Sequence, residues 1–352
     1  MGADSGTSVA VLSDDEEIVV TGHVDTSSAL NFTGALVNIS LAARNRAQDM
    51  FIARFTRDGE PLSVLLAGGP GEDRGAGAAI GPDQSLWVTG QVDTAGSLVA
   101  FDEAGSGTVV LASAALGIQG VLAHYDKDGA LLHARIFGGP GTDVGASVAA
   151  RSDGGVLVTG SFSGEAVFGG PLDESLTLTS AGGRDIFVAR FRLDASLADV
   201  TRAGGQADDA GLGIAALPDG SALVTGSFAL EAAFGEGDAQ TTLSVVNHPR
   251  VSLHTDIFLA RYDPAGTLVF ARGAGGGGQD AGQSVAALPD GSALLTGALG
   301  TGRAALRTGP DIVFGAGEAN ETTFDDLDAS GIVVQVVRSL FFARYFPYGP
   351  TP

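Results

Sequence analysis

The sequence writes one unit five times over, and a chain built this way folds as a series of copies of one small motif. The triplet Val20-Thr21-Gly22 returns as Val88-Thr89-Gly90, Val158-Thr159-Gly160, Val224-Thr225-Gly226 and Leu295-Thr296-Gly297. A second marker, Asp49-Met50-Phe51-Ile52-Ala53-Arg54-Phe55, recurs over 185–191 and 256–262. It survives as Val121-Leu122-Ala123-His124-Tyr125 and Phe341-Phe342-Ala343-Arg344-Tyr345. The third marker is a Gly-Gly pair followed by an aspartate: Gly68-Gly69 with Asp73, Gly138-Gly139 with Asp143, Gly204-Gly205 with Asp209, and Gly275-Gly276 with Asp280. The chain opens on a remnant of the same element, Asp4-Ser5-Gly6. The markers keep a period of 66 to 71 residues, except that the last strand C marker follows its predecessor by 83 (Phe258 to Phe341), and this sets repeat units of approximately 1–67, 68–137, 138–203, 204–274 and 275–352 within a single domain.

Each unit reads as four strands. In the last units strand A is Ser284-Val285-Ala286-Ala287-Leu288, closed by Pro289-Asp290-Gly291, where Pro presets φ and Gly accepts a positive φ. Strand B is 293–297, strand C is 257–262, and strand D is Leu268-Val269-Phe270-Ala271-Arg272. The segments are short, β-branched or aromatic, and bounded by Gly, Pro and Asp; none keeps a helical period. Tandem four-stranded units of about 68 residues predict an all-β, five-bladed β-propeller. Between strands B and C each unit carries a long insert with a phenylalanine (Phe101, Phe168, Phe234, Phe314), expected to rise from its blade as an extra hairpin.

The order Gly-Gly, Asp-x-Gly, Val-Thr-Gly and Asp-Ile-Phe-Val-Ala-Arg-Phe resembles the bacterial β-propeller repeat family known as SBBP, over nearly the whole chain. The family name implies seven blades where five units are present here. The resemblance implies a propeller fold and an extracellular or cell-surface setting, and it brings no catalytic residues with it.

Composition narrows the partners. The 352 residues hold 41 acids against 19 bases, a net charge of −22, and Lys127 is the single lysine. Such a charge repels phosphate backbones and anionic headgroups, so no nucleic acid and no membrane surface is expected as partner. No apolar run is long enough to span a membrane, and no signal peptide is expected in this chain. With no cysteine, thiolate chemistry and disulfides are excluded.

The linker aspartates Asp4, Asp73, Asp143, Asp209 and Asp280 come once per unit, just before the innermost strand. Two readings stand: a ring of carboxylates binding a hard cation or sugar hydroxyls, and a turn device in which each Asp accepts local backbone N–H groups. The strand C arginines (Arg54, Arg190, Arg261, Arg344, with His124 substituting) either face an anionic ligand or pair with an acid of their own or the next blade. Glu318, Glu321, Asp325, Asp326 and Asp328 crowd the fifth insert and suit calcium by type, without EF-hand spacing; otherwise no cofactor is expected. His248, His254 and Asp256 cluster in the fourth insert as a candidate metal set or a solvated loop. Gly273-x-Gly275-x-x-Gly278 matches a dinucleotide fingerprint but has no helix after it.

A scaffold with long inserts on one face and minimal turns on the other predicts a non-catalytic binding module. Its ligand would be a protein or a glycan held on the insert face, where the inter-blade linkers also lie. The alternative is a hydrolase or lyase acting on polysaccharide at the channel mouth. Strand D occurs only four times, so the fifth blade is expected to be three-stranded, with an open strand C edge for strand addition, or completed by its own insert. The proline-rich 346–352 cannot serve as its fourth strand.

Overall fold

The computed structural model describes residues 4–12, 17–25, 30–34, 38–41, 47–94, 98–102, 108–112, 115–170, 175–245, 254–276, 278–289, 291–300, 312–314, 322–323, 332–337 and 340–345. Among them there is no α-helix, and none of the helical structure is long and apolar enough to cross a membrane. Five acids of the fifth insert (Glu318, Glu321, Asp325, Asp326, Asp328), together with His248 and the tail 346–352, lie outside the described residues.

The strands follow the repeat. The first unit holds β1 (Ser5–Leu12), β2 (Glu17–Val24), an insert hairpin β3 (Leu30–Thr33) and β4 (Asn38–Leu41), then β5 (Asp49–Phe55) and β6 (Pro61–Gly68). The second holds β7 (Arg74–Ile80), β8 (Leu86–Asp93), β9 (Leu98–Asp102), β10 (Thr108–Ala112), β11 (Ile118–Tyr125) and β12 (Leu131–Phe137). In the third, strand B and the insert fuse, giving β13 (Val144–Ala150), β14 (Val156–Phe168), β15 (Leu176–Phe191) and β16 (Leu197–Gly205). The fourth holds β17 (Ala210–Ala216), β18 (Ala222–Ala229), β19 (Glu231–Phe234), β20 (Thr241–Ser244), β21 (Thr255–Tyr262) and β22 (Leu268–Gly276). The fifth holds β23 (Ala281–Ala287), β24 (Ala293–Ala298), β25 (Ile312–Phe314), β26 (Thr322–Thr323), β27 (Ile332–Val337) and β28 (Leu340–Tyr345).

The chain groups into two compact units. One comprises Met1–Val158, Phe162–Thr179 and Arg190–Ala198; the other comprises Thr159–Ser161, Ser180–Ala189 and Asp199–Pro352. In the first unit, sheet β1-β2-β5-β6-β9-β10 and sheet β12-β11-β8-β7 enclose one core of Leu12, Val19, Ile52, Leu65, Leu86, Val88, Val121 and Tyr125. In the second, sheets β17-β18-β21-β22-β25-β26 and β23-β24-β28-β27 enclose Leu217, Leu223, Ile257, Leu259, Val285 and Leu295. Alternation of side chains lets each antiparallel strand feed such a core with one face.

The motifs hold successive sheets together. The threonine of Val-Thr-Gly donates across to strand C: Thr21 Oγ1 to Phe51 O at 2.9 Å, Thr89 to Val121 O at 2.8 Å, Thr159 to Phe187 O at 2.8 Å, Thr225 to Phe258 O at 2.6 Å. The glycine of Asp-x-Gly sits on that hydroxyl. A Cβ at Gly75 would overlap Thr21 Oγ1, at Gly145 Thr89, at Gly211 Thr159 and at Gly282 Thr225. Only glycine lets strand A approach the preceding strand B this closely.

One sequence expectation changes for three of the inserts. In the second, fourth and fifth repeats the insert hairpin does not rise from its own sheet: its first strand pairs with the outer edge of the preceding strand D, Ala67 with Phe101, Ala203 with Phe234 and Ala274 with Phe314. In the third the insert continues strands B and C of its own sheet, as expected, and in the first β3 and β4 form a separate two-stranded sheet. An unpaired strand D edge is costly to leave open, and the next insert is the nearest strand to cover it. The edge of β28 follows the second of the two expected arrangements: β27, from its own repeat's insert, pairs with it from Ile332↔Tyr345 to Val337↔Leu340 and takes the place that an added strand would need.

Candidate functional site

The linker aspartates are buried and engaged with backbone. Asp73 accepts Gly69 N–H at 2.7 Å on one oxygen and Asp93 N–H at 2.8 Å on the other, while its own N–H donates to Gln48 O at 2.8 Å. Asp143 repeats this with Gly139 (2.7 Å), Ser163 (3.2 Å) and Ile118 O (2.9 Å). Asp209 does so with Gly205 (2.7 Å), Ala229 (2.9 Å) and Arg184 O (2.7 Å), and Asp280 with Gly276 (2.9 Å), Gly300 (2.8 Å) and Thr255 O (2.7 Å). Asp4, only half-buried, accepts Asp25 N–H at 2.8 Å. Each of the four buried residues therefore ties three chain segments together: the linker, the end of strand B and the start of strand C. Each of these four carboxylates is at most 1% exposed and accepts a backbone N–H group on both oxygens, the arrangement that a turn device requires.

A second acid stands beside two of these aspartates. A Cβ on Gly68 would meet the carboxylates of Asp49 and Asp73 together; Gly204 stands in the same way between Asp185 and Asp209. Burial foremost, opposed by the backbone hydrogen bonds and reinforced by the neighbouring acids, pushes Asp73 and Asp209 up to about 7. In the second repeat the neighbour is Gln119, whose amide donates to Gly139 O at 3.1 Å, and Asp143 is raised by burial without a charged partner. No group of three His, Asp or Glu side chains able to hold a metal occurs among the described residues, and that includes His254 with Asp256.

Two of the strand C cations, Arg54 and Arg261, turn to acids of their own repeat's A–B turn. Arg54 reaches Glu17 Oε2 through Nε (2.9 Å) and Nη2 (2.5 Å), and Arg261 reaches Asp219 at 2.7 Å. In the second repeat His124 substitutes and stacks on Trp87, with ring centroids 3.7 Å apart. Burial, then His133, lowers its pKa to about 4, so it is a neutral packing ring rather than a cation.

What the sequence reading did not single out is a groove of about 910 Å³ in the second repeat. One wall is strand D, β12, with Leu132, Ala134 and Ile136; the opposite wall is Leu111 and Ala112 of β10; Glu165, Val167 and Gly170 of the third insert close the end. His133 and Arg135 also line it. Leu132 is 47% exposed and Val167 43%, an apolar surface open to solvent. In the first and fourth repeats the second insert strand lies against its own strand D, β4 against β6 and β20 against β22. There the strand C phenylalanine packs edge-on or tilted on the insert phenylalanine, Phe51 on Phe32 at 5.9 Å and Phe258 on Phe234 at 5.0 Å. The second repeat has Val121 in that place, and the insert strand stands away from strand D, leaving the groove. Volume and apolar lining with a few polar groups are those of a small-molecule or short-peptide site. The signal was present in sequence as the loss of Phe at 121 and the gain of Ile136 and Phe137 on strand D.

No protein-family model matches the chain, and no curated protein matches it. Among solved structures it is similar to the WD40 domain of Pan2 from Neurospora crassa, with a TM-score of 0.38 and 9% identity over 99% of this chain and 90% of that one.

Proposed function

We propose that this chain is a five-bladed β-propeller of the SBBP kind that binds an extracellular or cell-surface ligand without transforming it, and that the groove of the second repeat is where it binds. The observation that carries this reading is a groove of about 910 Å³ in which the exposed Leu132 and Val167 stand beside the partly buried Leu111 and Ile136. Exposed apolar patches of this kind mark binding surfaces. Repeated motifs and the shared cores between consecutive sheets support the propeller part of the reading.

A polysaccharide hydrolase needs two carboxylates flanking the bond. Glu165 is the single carboxylate among the described residues lining the groove. The binding reading therefore stands ahead of the hydrolase. Titration calorimetry against panels of glycans and of short peptides, followed by mass spectrometry of the recovered ligand, tests it. One site per chain is expected, lost in Leu132→Asp, with the ligand recovered unchanged. A cleaved ligand, or binding indifferent to Leu132→Asp, overturns it.

A further inference from the structure

The joints between successive repeats share one plan and differ at one buried position, two places before Phe51, Val121, Phe187 and Phe258. Asp49, Gln119, Asp185 and Asp256 stand there, all at most 3% exposed. In the first repeat a Cβ on Gly68 would lie 2.5 Å from Asp49 Oδ1 and 2.6 Å from Asp73 Oδ2. In the third a Cβ on Gly204 would lie 2.7 Å from Asp185 Oδ1 and 2.9 Å from Asp209 Oδ2. Two carboxylate oxygens thus converge on one buried point in each. Asp185 Oδ1 has no hydrogen-bond donor among the described residues, while Oδ2 takes Ala181 N–H and the Arg202 guanidinium, each at 2.9 Å. Two ionised oxygens so placed repel where water does not reach, and a proton between them turns repulsion into a hydrogen bond. The second repeat has an amide instead. Gln119 Nε2 donates to Gly139 O at 3.1 Å, and the three atoms nearest a Cβ on Gly138 all belong to Asp143. Gln119, Gly138 and Gly139 also line the groove.

We propose that the joints after the first and third repeats are each closed by one proton shared between their two acids, and that Gln119 frees the joint at the groove from that requirement. Opening such a joint separates the acids, and the shared proton passes to water as both ionise. The surrounding charges do not replace it. Asp93 adds like charge beside Asp73, and Asp208 beside Asp209. Arg74 turns to Glu72 and Gln48, Arg184 to Asp208, and Arg202 to the oxygen of Asp185 that does not face Asp209. His133, Arg135 and Glu165 line the groove, and none of them shifts Asp143, which burial raises without a neighbouring acid. Asp73 and Asp209, raised by burial with such a neighbour, hold a proton to about 7. The closed joint then binds more protons than the open one between about 4 and about 7, so closure weakens as pH rises through that window and levels off above. The amide of Gln119 keeps its donor throughout. The second and third repeats therefore hold the groove between them while the joints on either side loosen.

Amide hydrogen exchange on the full chain reads three joints directly, because Gly69 N–H is bonded to Asp73, Gly139 N–H to Asp143 and Gly205 N–H to Asp209. Protection factors, corrected for intrinsic exchange, are expected to fall about tenfold from pH 6 to pH 8 at Gly69 and Gly205, and by no more than about twofold at Gly139. Gln119→Asp puts a second acid beside Asp143, and Gly139 should then lose protection over the same window. Asp49→Asn should abolish the fall at Gly69 and leave it at Gly205. The comparison of the three glycines needs no variant, so a folding defect in either substitution leaves it decisive. Equal falls at all three would assign the response to net charge or global unfolding and overturn the proposal. Protection at Gly69 and Gly205 that ignores pH, or a fall at Gly69 that survives Asp49→Asn, would overturn the shared proton. A folded Gln119→Asp chain whose Gly139 still ignores pH would overturn the role of Gln119.

Discussion

The ring of Phe137 on β12 lies where a Cβ on Gly120 of β11 would stand, and the two residues face each other in register. The same pair of positions is Met50 with Ala67 in the first repeat and Ile257 with Ala274 in the fourth. Large and small have changed places across the ladder, which keeps the volume between the sheets while moving bulk onto the strand that borders the groove. Gly120→Ala alone should therefore overpack and cost about 1–3 kcal/mol, and Phe137→Ala alone about 3–5 kcal/mol. The double substitution Gly120→Ile with Phe137→Ala rebuilds the fourth repeat's pairing. It should cost well under the sum of the singles, and a chemical-denaturation cycle checks the coupling.

Asp143 holds two buried N–H groups with one carboxylate. Asp143→Ala orphans both, so a loss of about 2–4 kcal/mol is expected, more than a single side-chain hydrogen bond would give. Equilibrium unfolding in urea measures it. A loss below 0.5 kcal/mol, on the scale of an ordinary surface substitution, would mean that water replaces the carboxylate.

Calcium at a buried linker aspartate would have to enter a site at most 1% exposed and compete with a backbone N–H group on each carboxylate oxygen. Millimolar calcium and a chelator should leave the melting temperature unchanged. A rise with calcium that survives Asp143→Ala but disappears in Asp325→Asn with Asp326→Asn would assign the ion to the fifth insert.

Much of this fold is legible in the sequence because its rules are local. Val-Thr-Gly, Asp-x-Gly and Pro-Asp-Gly each mark one strand end or one turn, and the strands fall where those markers put them. The long-range pairings are not legible in that way. That Phe101 belongs beside Ala67 of the preceding repeat depends on which edge is free, a property of the assembled sheets and not of either segment. The partners of Asp73 show the limit most sharply. The sequence suggests that its carboxylate serves the local backbone, yet one acceptor role is spent 20 positions away, on Asp93 N–H. The groove escapes for a related reason: Val121, Ile136 and Phe137 each look like ordinary strand residues, and only their comparison across repeats shows a site.

The paired carboxylates give the protein an unusual pH response. Asp73 in the fold takes up its proton at about 7, against about 3.9 in an unfolded chain. Between those values the folded state binds more protons than the unfolded one, so stability falls as pH rises from about 4 to about 7 and levels off above. Asp209 acts with the same sign over the same window. The contribution is a few kcal/mol per site at most, by order of magnitude. The melting temperature is therefore expected to be higher at pH 5 than at pH 7.5. Relief of general repulsion in a chain of −22 has the same direction, and a neighbour substitution separates the two effects. Asp49→Asn removes the like charge beside Asp73 while changing the net charge by one. The folded pKa of Asp73 should then drop and the slope between pH 5 and 7 should flatten. Scanning calorimetry at half-unit intervals reads this directly, and a slope that survives both Asp49→Asn and the removal of the buried carboxyls in Asp73→Asn with Asp209→Asn would assign the whole effect to net charge.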